Sequence, residues 1–186
     1  SIHFGEIAVA CRHHANQNPD ATMYGRPMSL DDHQSSRMIS TPLHLFDCCL
    51  ESDGGAAVIV TTPERARDLR QRPVTIAAGG MGIGAWNDRS VLKNVDAPET
   101  ESTVIARHVF EDAGIGHDDI DVLFLYDHFT PLVLMALEEY GFCRRGEGKD
   151  FVTGGRLQWP DGELPLNTSG GNLSEAYLHG MQNNIE

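Results

Sequence analysis

Hydrophobic and polar positions change their period several times along this chain, and each change predicts an element. Over residues 3–18, Phe4, Ile7, Ala8, Cys11 and Ala15 recur at helical spacing until Asn18-Pro19 ends the run. Residues 19–40 are polar and irregular, which predicts a surface loop with one helical turn after Ser29, where Ser29 and Asp32 fit a capping pattern. After the Asp53-Gly54-Gly55 turn, residues 56–60 (AAVIV) are continuously apolar, the mark of a strand buried on both faces. Pro63 opens an exposed basic helix over 63–72. Residues 74–84 predict a strand running into a glycine-rich loop. Over 100–113, Val104, Ile105, His108, Val109 and Ala113 group on one side of a helix that Gly114 closes. A strand at 122–125 leads to a further helix begun at Pro131 and stopped by Gly141. Pro160-Asp161-Gly162 turns the chain into its last unit, residues 164–180. This unit reads as a short apolar run, a polar turn with Gly170 and Gly171, and a helix opened by Ser174 that carries Tyr177 in its first turns. Short apolar strands alternating with helices predict an α/β layered fold.

Composition narrows the classes of function. A net charge of −13 on 186 residues argues against general binding of nucleic acid or membrane surfaces, which reward a basic face. No apolar run is long enough to span a bilayer. Cys11, Cys48, Cys49 and Cys143 are too few and too irregularly spaced for a disulfide framework, and no CxxC pair suggests zinc. Reduced thiols, a cytoplasmic location and no metal are the expectation. The chain begins in mid-pattern and ends in a helical stretch without a C-cap, as expected of part of a longer enzyme.

Candidate chemistry concentrates in two places. Tyr126, Asp127, His128 and Phe129 stand at the carboxyl end of the 122–125 strand, where sites form in α/β sheets. In the last unit, a strand feeding a glycine-rich turn and a helix N-terminus presents free N–H groups to an anion or a carbonyl oxygen, with Tyr177 close behind. Taken alone, a tyrosine at a strand end is an interfacial side chain with a satisfied hydroxyl. Other features carry less. The string GGMGIG lacks dinucleotide-fingerprint spacing. His13 and His14 point about a quarter-turn apart on their helix and read as cationic groups near its C-terminus. His33 and His44 read as exposed or structural, and Cys48 and Cys49 lack the surroundings of a nucleophile.

Asn167, Gly170, Gly171 and Gly180 fall in register with the N-x-x-G-G-x-x-x-x-G-H-P-x-G signature of thiolases, which the chain therefore resembles over essentially its full length. Tyr177 stands at the motif's catalytic histidine, Ala176 at the preceding glycine and Leu178 at the proline. The wording NTSGGNLSEAYLHG is closer to the lipid-transfer protein branch, related to the thiolase domain of sterol carrier protein x, whose members include steroid side-chain retro-aldolases. YDHF occupies the place of the thiolase N-E-A-F box, with Tyr126 in the seat of its Asn or His. The resemblance implies a thiolase-like α/β layered fold, mostly the C-terminal half of a thiolase. Residues 1–62 are then the end of the N-terminal half including its last strand, and 63–186 the C-terminal half.

The activity that this resemblance implies is carbon–carbon lyase chemistry on a β-hydroxyacyl-CoA, a 17-hydroxy steroid side-chain thioester giving a 17-ketosteroid and propionyl-CoA. Tyr126 and Tyr177 serve as base and proton donor in either order, provided a phenol pKa falls from about 10 through nearby donors or positive charge. Asp127 and His128 support them, His128 as a proton relay. Asn167, Gly170, Gly171 and Phe129 are expected to contact substrate, with the amides around Gly171 polarising the thioester. No cofactor beyond the substrate's CoA is implied. Expected partners are a second copy of the chain and the OB-fold/zinc-ribbon domain of a hydratase subunit. Two other readings stay open, an acyl-CoA thiolase or acetyltransferase of the sterol carrier protein x type and a non-catalytic lipid-transfer subunit.

Overall fold

The computed structural model describes residues 1–82 and 100–185. At its centre lies α1 (Ile2–Ala15), which packs against α2 (Leu30–Ser35), α5 (Thr130–Glu139) and α7 (Gly171–Ser174). A helix can be enclosed this way only if its flanks are small or apolar, and Gly5, Ile7, Ala8, Ala10, Cys11 and Ala15 are all buried. Ile7, Ala10 and Cys11 join Leu125, Val133, Leu137, Leu166 and Leu173 in one core, which draws on residues from both sides of position 62.

Several local expectations are met. Ser29 and Asp32 form a reciprocal capping box at α2, with Asp32 N donating to Ser29 Oγ (3.1 Å) and Ser29 N to Asp32 Oδ2 (2.8 Å). β1 (Met38–Ser40) and β2 (Leu43–His44) then pair antiparallel and run into a 3₁₀ turn, Leu45–Asp47. α3 (Pro63–Arg67) starts on its proline, and its arginines face solvent. α4 (Glu101–Ala113) is capped by Thr100 Oγ1 and closed by Gly114 at φ 69°, although His108 turns outward. α5 follows, then α6 (Gly148–Phe151) and α7. Among the described residues no helix is long and apolar enough to cross a membrane.

Three expectations are corrected. Residues 56–60 and 74–78 form no strands, and their apolar side chains face outward, Ile59 at 89% and Val74 at 92% exposure. A ladder needs a partner for its N–H and C=O groups, and among the described residues no backbone hydrogen bond joins either segment to another. The loop after 74–78 reaches Gly82, and its last two residues lie outside the described ones. The 122–125 strand is reduced to one parallel bridge, Leu123 to Leu166, in which Leu123 N donates to Pro165 O and Asn167 N to Leu123 O, both at 2.9 Å. Finally, Ser174 ends a helix instead of opening one. The amides of Thr22 and Met23 take the carbonyls of Glu175 and Ser174, so those oxygens are lost to a continuing helix, and Tyr177 lies beyond it.

Candidate active site

Asn167 makes the geometry of the site possible. Where backbone pairing between 123 and 166 stops, its buried side chain continues it by imitating a peptide group. Oδ1 accepts from Leu125 N (2.9 Å) and Nδ2 donates to Leu125 O (3.0 Å). Its φ of 50° turns the chain away from the strand, a conformation that asparagine tolerates. Leu125 is thereby fixed, and Tyr126 and Asp127 with it. Asn167 acts as a scaffold residue with both ends of its amide engaged, its side chain also hydrogen-bonding the Asp127 carboxyl.

Asp127 is fully buried and occupies the start of α7. Its Oδ1 accepts from Asn172 N (2.8 Å), and its Oδ2 from Leu173 N (3.2 Å) and from the Cys11 thiol (3.7 Å). Burial pushes its carboxyl above the usual carboxylate range, against the pull of the backbone amides and the Asn167 side chain that hydrogen-bond it. Gly171, at φ 62°, must lack a side chain, because a Cβ there would run into this carboxylate. A Cβ on Gly170 would lie 2.8 Å from Ala15 Cβ, so this glycine lets α7 close on α1. The amides expected to polarise a thioester are thus already engaged, those of 172 and 173 by Asp127 and that of Gly171 by Ser169 Oγ (3.4 Å). The two glycines and Asp127 shape the site from beneath without facing its opening.

The two tyrosines do come together. Their hydroxyls share a hydrogen bond of 2.7 Å, with ring centroids 6.3 Å apart, and Tyr126 is 41% exposed. Ser52 Oγ accepts from Tyr177 N (3.1 Å) and holds that residue in place after α7. His128 stacks on the Tyr126 ring at 4.5 Å, but its Nδ1–H is directed at the Tyr126 carbonyl (3.3 Å), not at either hydroxyl. Phe129, 37% exposed, lies edge-on to His128 and caps the start of α5. The Tyr126 phenol is pushed up to about 12, first by burial and then by its hydrogen bond with Tyr177. The expected fall in phenol pKa is therefore reversed at this residue.

His179 is the residue that sequence reasoning missed. Its Nδ1 stands 3.5 Å from the Tyr126 hydroxyl and 3.4 Å from that of Tyr177. The backbone reaches this position through consecutive positive φ values at His179 (53°) and Gly180 (77°), and a Cβ on Gly180 would press on the Tyr126 ring at 3.0 Å. The available signal was an imidazole beside a glycine that already matched the motif.

A second cluster supports the site from below. Asp47, fully buried in the 3₁₀ turn, accepts from His33 Nε2 (2.9 Å), Thr130 Oγ1 (2.6 Å) and His44 N (2.7 Å). Burial raises its carboxyl, but these hydrogen bonds outweigh burial and hold it below the usual range. The cluster ties α2, the turn and the first residue of α5 together, and the adjoining backbone pairs with the site, Cys49 N donating to His128 O and Leu50 N to Asn172 O, both at 3.0 Å. His14, expected to be cationic, is instead buried, pushed down to about 4 chiefly by that burial, and accepts from Trp159 N (2.8 Å).

Known proteins carry the same arrangement of chain. Residues 84–186 match the family described as Thiolase C-terminal domain-like. The 17-hydroxy-3-oxo-4-pregnene-20-carboxyl-CoA lyase of Mycobacterium tuberculosis is 46% identical over 182 residues, 96% of this chain and 46% of that protein. The steroid side-chain-cleaving aldolase of Thermomonospora curvata is 49% identical over 180 residues, again 96% of this chain and 46% of that protein. The solved structure of an Ltp2-ChsH2(DUF35) aldolase superposes with a TM-score of 0.93 at 46% identity, covering 100% of this chain and 49% of that one. The chain thus spans about half the length of the relatives it matches.

Proposed function

This chain belongs to the thiolase C-terminal domain-like family, with the α/β thiolase-like fold expected of it, and from that premise we propose that it carries the proton-transfer site of a retro-aldolase. The substrate is a β-hydroxyacyl-CoA, a 17-hydroxy steroid side-chain thioester that yields a 17-ketosteroid and propionyl-CoA. The observation that carries this reading is the 2.7 Å contact between the Tyr126 and Tyr177 hydroxyls at an exposed edge of the fold. One phenol oxygen accepts the proton of the substrate's β-hydroxyl. The carbon–carbon bond breaks as that oxygen becomes a ketone, and the bonding electrons pass to the thioester as an enolate. The first phenol's own proton crosses the 2.7 Å hydrogen bond to the second, which gives its proton to the enolate carbon, so both phenols end neutral and nothing is oxidised. Phe129 and His128 wall the approach, while Asp127, Asn167, Gly170 and Gly171 fix its floor.

Tyr177 in the seat of the motif's catalytic histidine favours this reading over thiolytic cleavage. Burial raises the thiols of Cys48 and Cys49, carries Cys143 to about 11 and pushes Cys11 well above its ordinary value. Thiolysis needs a thiolate activated by a histidine, and a phenol at position 177 does not supply that activation. No cofactor beyond the CoA of the substrate is required. The proposed setting is cytoplasmic, as a homodimer bound to the OB-fold/zinc-ribbon domain of a hydratase subunit. The name of the superposing structure, an Ltp2-ChsH2(DUF35) aldolase, supports a partner subunit.

The test is Tyr126→Phe and Tyr177→Phe in the full-length protein with its partner, following propionyl-CoA release from the 17-hydroxy steroid thioester. Each variant should lose at least about 10²-fold in kcat with little change in KM. Unaffected turnover rejects the roles. Binding without turnover in the wild-type complex supports the lipid-carrier reading, and CoA-dependent cleavage of a β-ketoacyl-CoA supports the thiolase reading.

A further inference from the structure

We infer that His179 is the proton acceptor behind the two phenols, its Nδ1 taking up the proton that the substrate hydroxyl passes into the Tyr126/Tyr177 pair. That role presupposes the lyase reading. The phenols alone leave the chemistry short of a base. Burial and the hydrogen bond with Tyr177 push the Tyr126 phenol up to about 12, which makes it a poor standing base at neutral pH. Histidine is the side chain whose intrinsic pKa lies nearest neutrality, and the Nδ1 of His179 is within reach of both hydroxyls at once. Distances of 3.4 and 3.5 Å are long for hydrogen bonds, as catalytic contacts often are before substrate tightens them.

The placement of His179 is held by its surroundings. The ring lies 5.0 Å from that of Tyr177, and the backbone reaches it through left-handed conformations at 179 and 180. The other titratable groups around the pair are His128, stacked on Tyr126, and Asp127 and Cys49, whose charges bear on the Tyr126 phenol. Asp127 is spent on the amides of α7, and His128 is directed at a carbonyl.

The proton balance closes. As the substrate hydroxyl gives its proton to one phenol, the hydrogen-bonded pair passes a proton on to Nδ1, and no free phenolate accumulates. The carbon–carbon bond breaks to ketone and enolate, and the imidazolium returns its proton through the phenols to the enolate carbon.

His179→Asn is the first variant to measure, because asparagine keeps a polar group and accepts a positive φ, so the fold is spared. In the full-length complex its kcat should fall at least about 10²-fold with KM unchanged. The acidic limb of the wild-type kcat profile should flatten. His179→Gly, which relaxes the backbone and opens space, should regain part of its rate on addition of free imidazole. Asparagine at 179 holding kcat within about threefold, or a surviving acidic limb together with no imidazole rescue, overturns the inference. Inactive Tyr→Phe variants beside a fully active His179→Asn would sink this role alone. Fully active Tyr→Phe variants would sink the lyase reading and this role with it.

Discussion

Asn167→Asp puts the placement of Tyr126 to a direct measurement. The exchange keeps the size of the side chain and its tolerance of φ 50°, and it keeps an acceptor for Leu125 N–H. It replaces the donor facing Leu125 O, which also hydrogen-bonds the Asp127 carboxyl, by a second oxygen beside that carboxyl. Losing that hydrogen bond inside a fully buried site costs about 1–3 kcal/mol. An ionised carboxylate enclosed there adds to the cost, so the total reaches about 2–4 kcal/mol in weakly alkaline buffer. The same burial raises the folded-state pKa of the new carboxyl above its unfolded value of about 3.9. Between those two values the folded state binds more protons than the unfolded one, so stability of the variant falls as pH rises through the window. On acidification it recovers, because a protonated carboxyl again donates to Leu125 O. Urea unfolding of the full-length protein by circular dichroism at two pH values reads this directly, with Asn167→Leu as a control that cannot titrate. If Asn167→Asp lies within about 0.5 kcal/mol of wild type and its deficit does not depend on pH, Asn167 is not the bridge described here.

Two further perturbations address the floor of the site. Gly171→Ala combines a positive φ with a clash against the Asp127 carboxylate, and should destabilise the protein by about 2–4 kcal/mol, seen as a lower melting temperature. Asp47→Asn removes an acceptor shared by three donors and should cost about 2–4 kcal/mol near neutrality. The Asp47 carboxyl titrates below its unfolded value, so its contribution is present above about pH 4 and is lost as pH falls through the folded pKa. The gap between wild type and variant should therefore narrow in acid, and a gap independent of pH would contradict the assignment.

How much was legible beforehand depends on the range of the interactions. Caps are local, so the box at Ser29 and Asp32, the start at Pro63 and the stop at Gly114 could all be read from neighbouring letters. The pairing of Tyr126 with Tyr177 was legible through the motif register, which placed both residues at one cleft before any distance was known. What escaped was whatever a distant segment decides. Residues 56–60 carry a buried-strand pattern, yet a strand exists only when another segment pairs with it. The helix expected after Ser174 is ended by amides from residues 22 and 23, some 150 positions away in sequence. His33, His14 and Asp127 look like solvated or reactive groups in one dimension. Burial against partners from other elements turns them into fixed parts of the frame.

The reversal at Tyr126 bears on how the pair works. A phenol pushed up to about 12 makes a poor standing base, yet a tight bridge between two hydroxyls still lets a proton enter at one oxygen and leave from the other without either becoming a free phenolate. Such a bridge functions only when both members are present, whereas two independent catalysts would each contribute a separate factor. The Tyr126→Phe, Tyr177→Phe double variant therefore decides between them. If the hydroxyls form one unit, the double variant should lose no more in kcat than the worse of the two single variants, because the first substitution has already cut the path. Single-variant losses that multiply in the double variant would show that each phenol acts on substrate by itself, and the proton would then need two separate routes through this site.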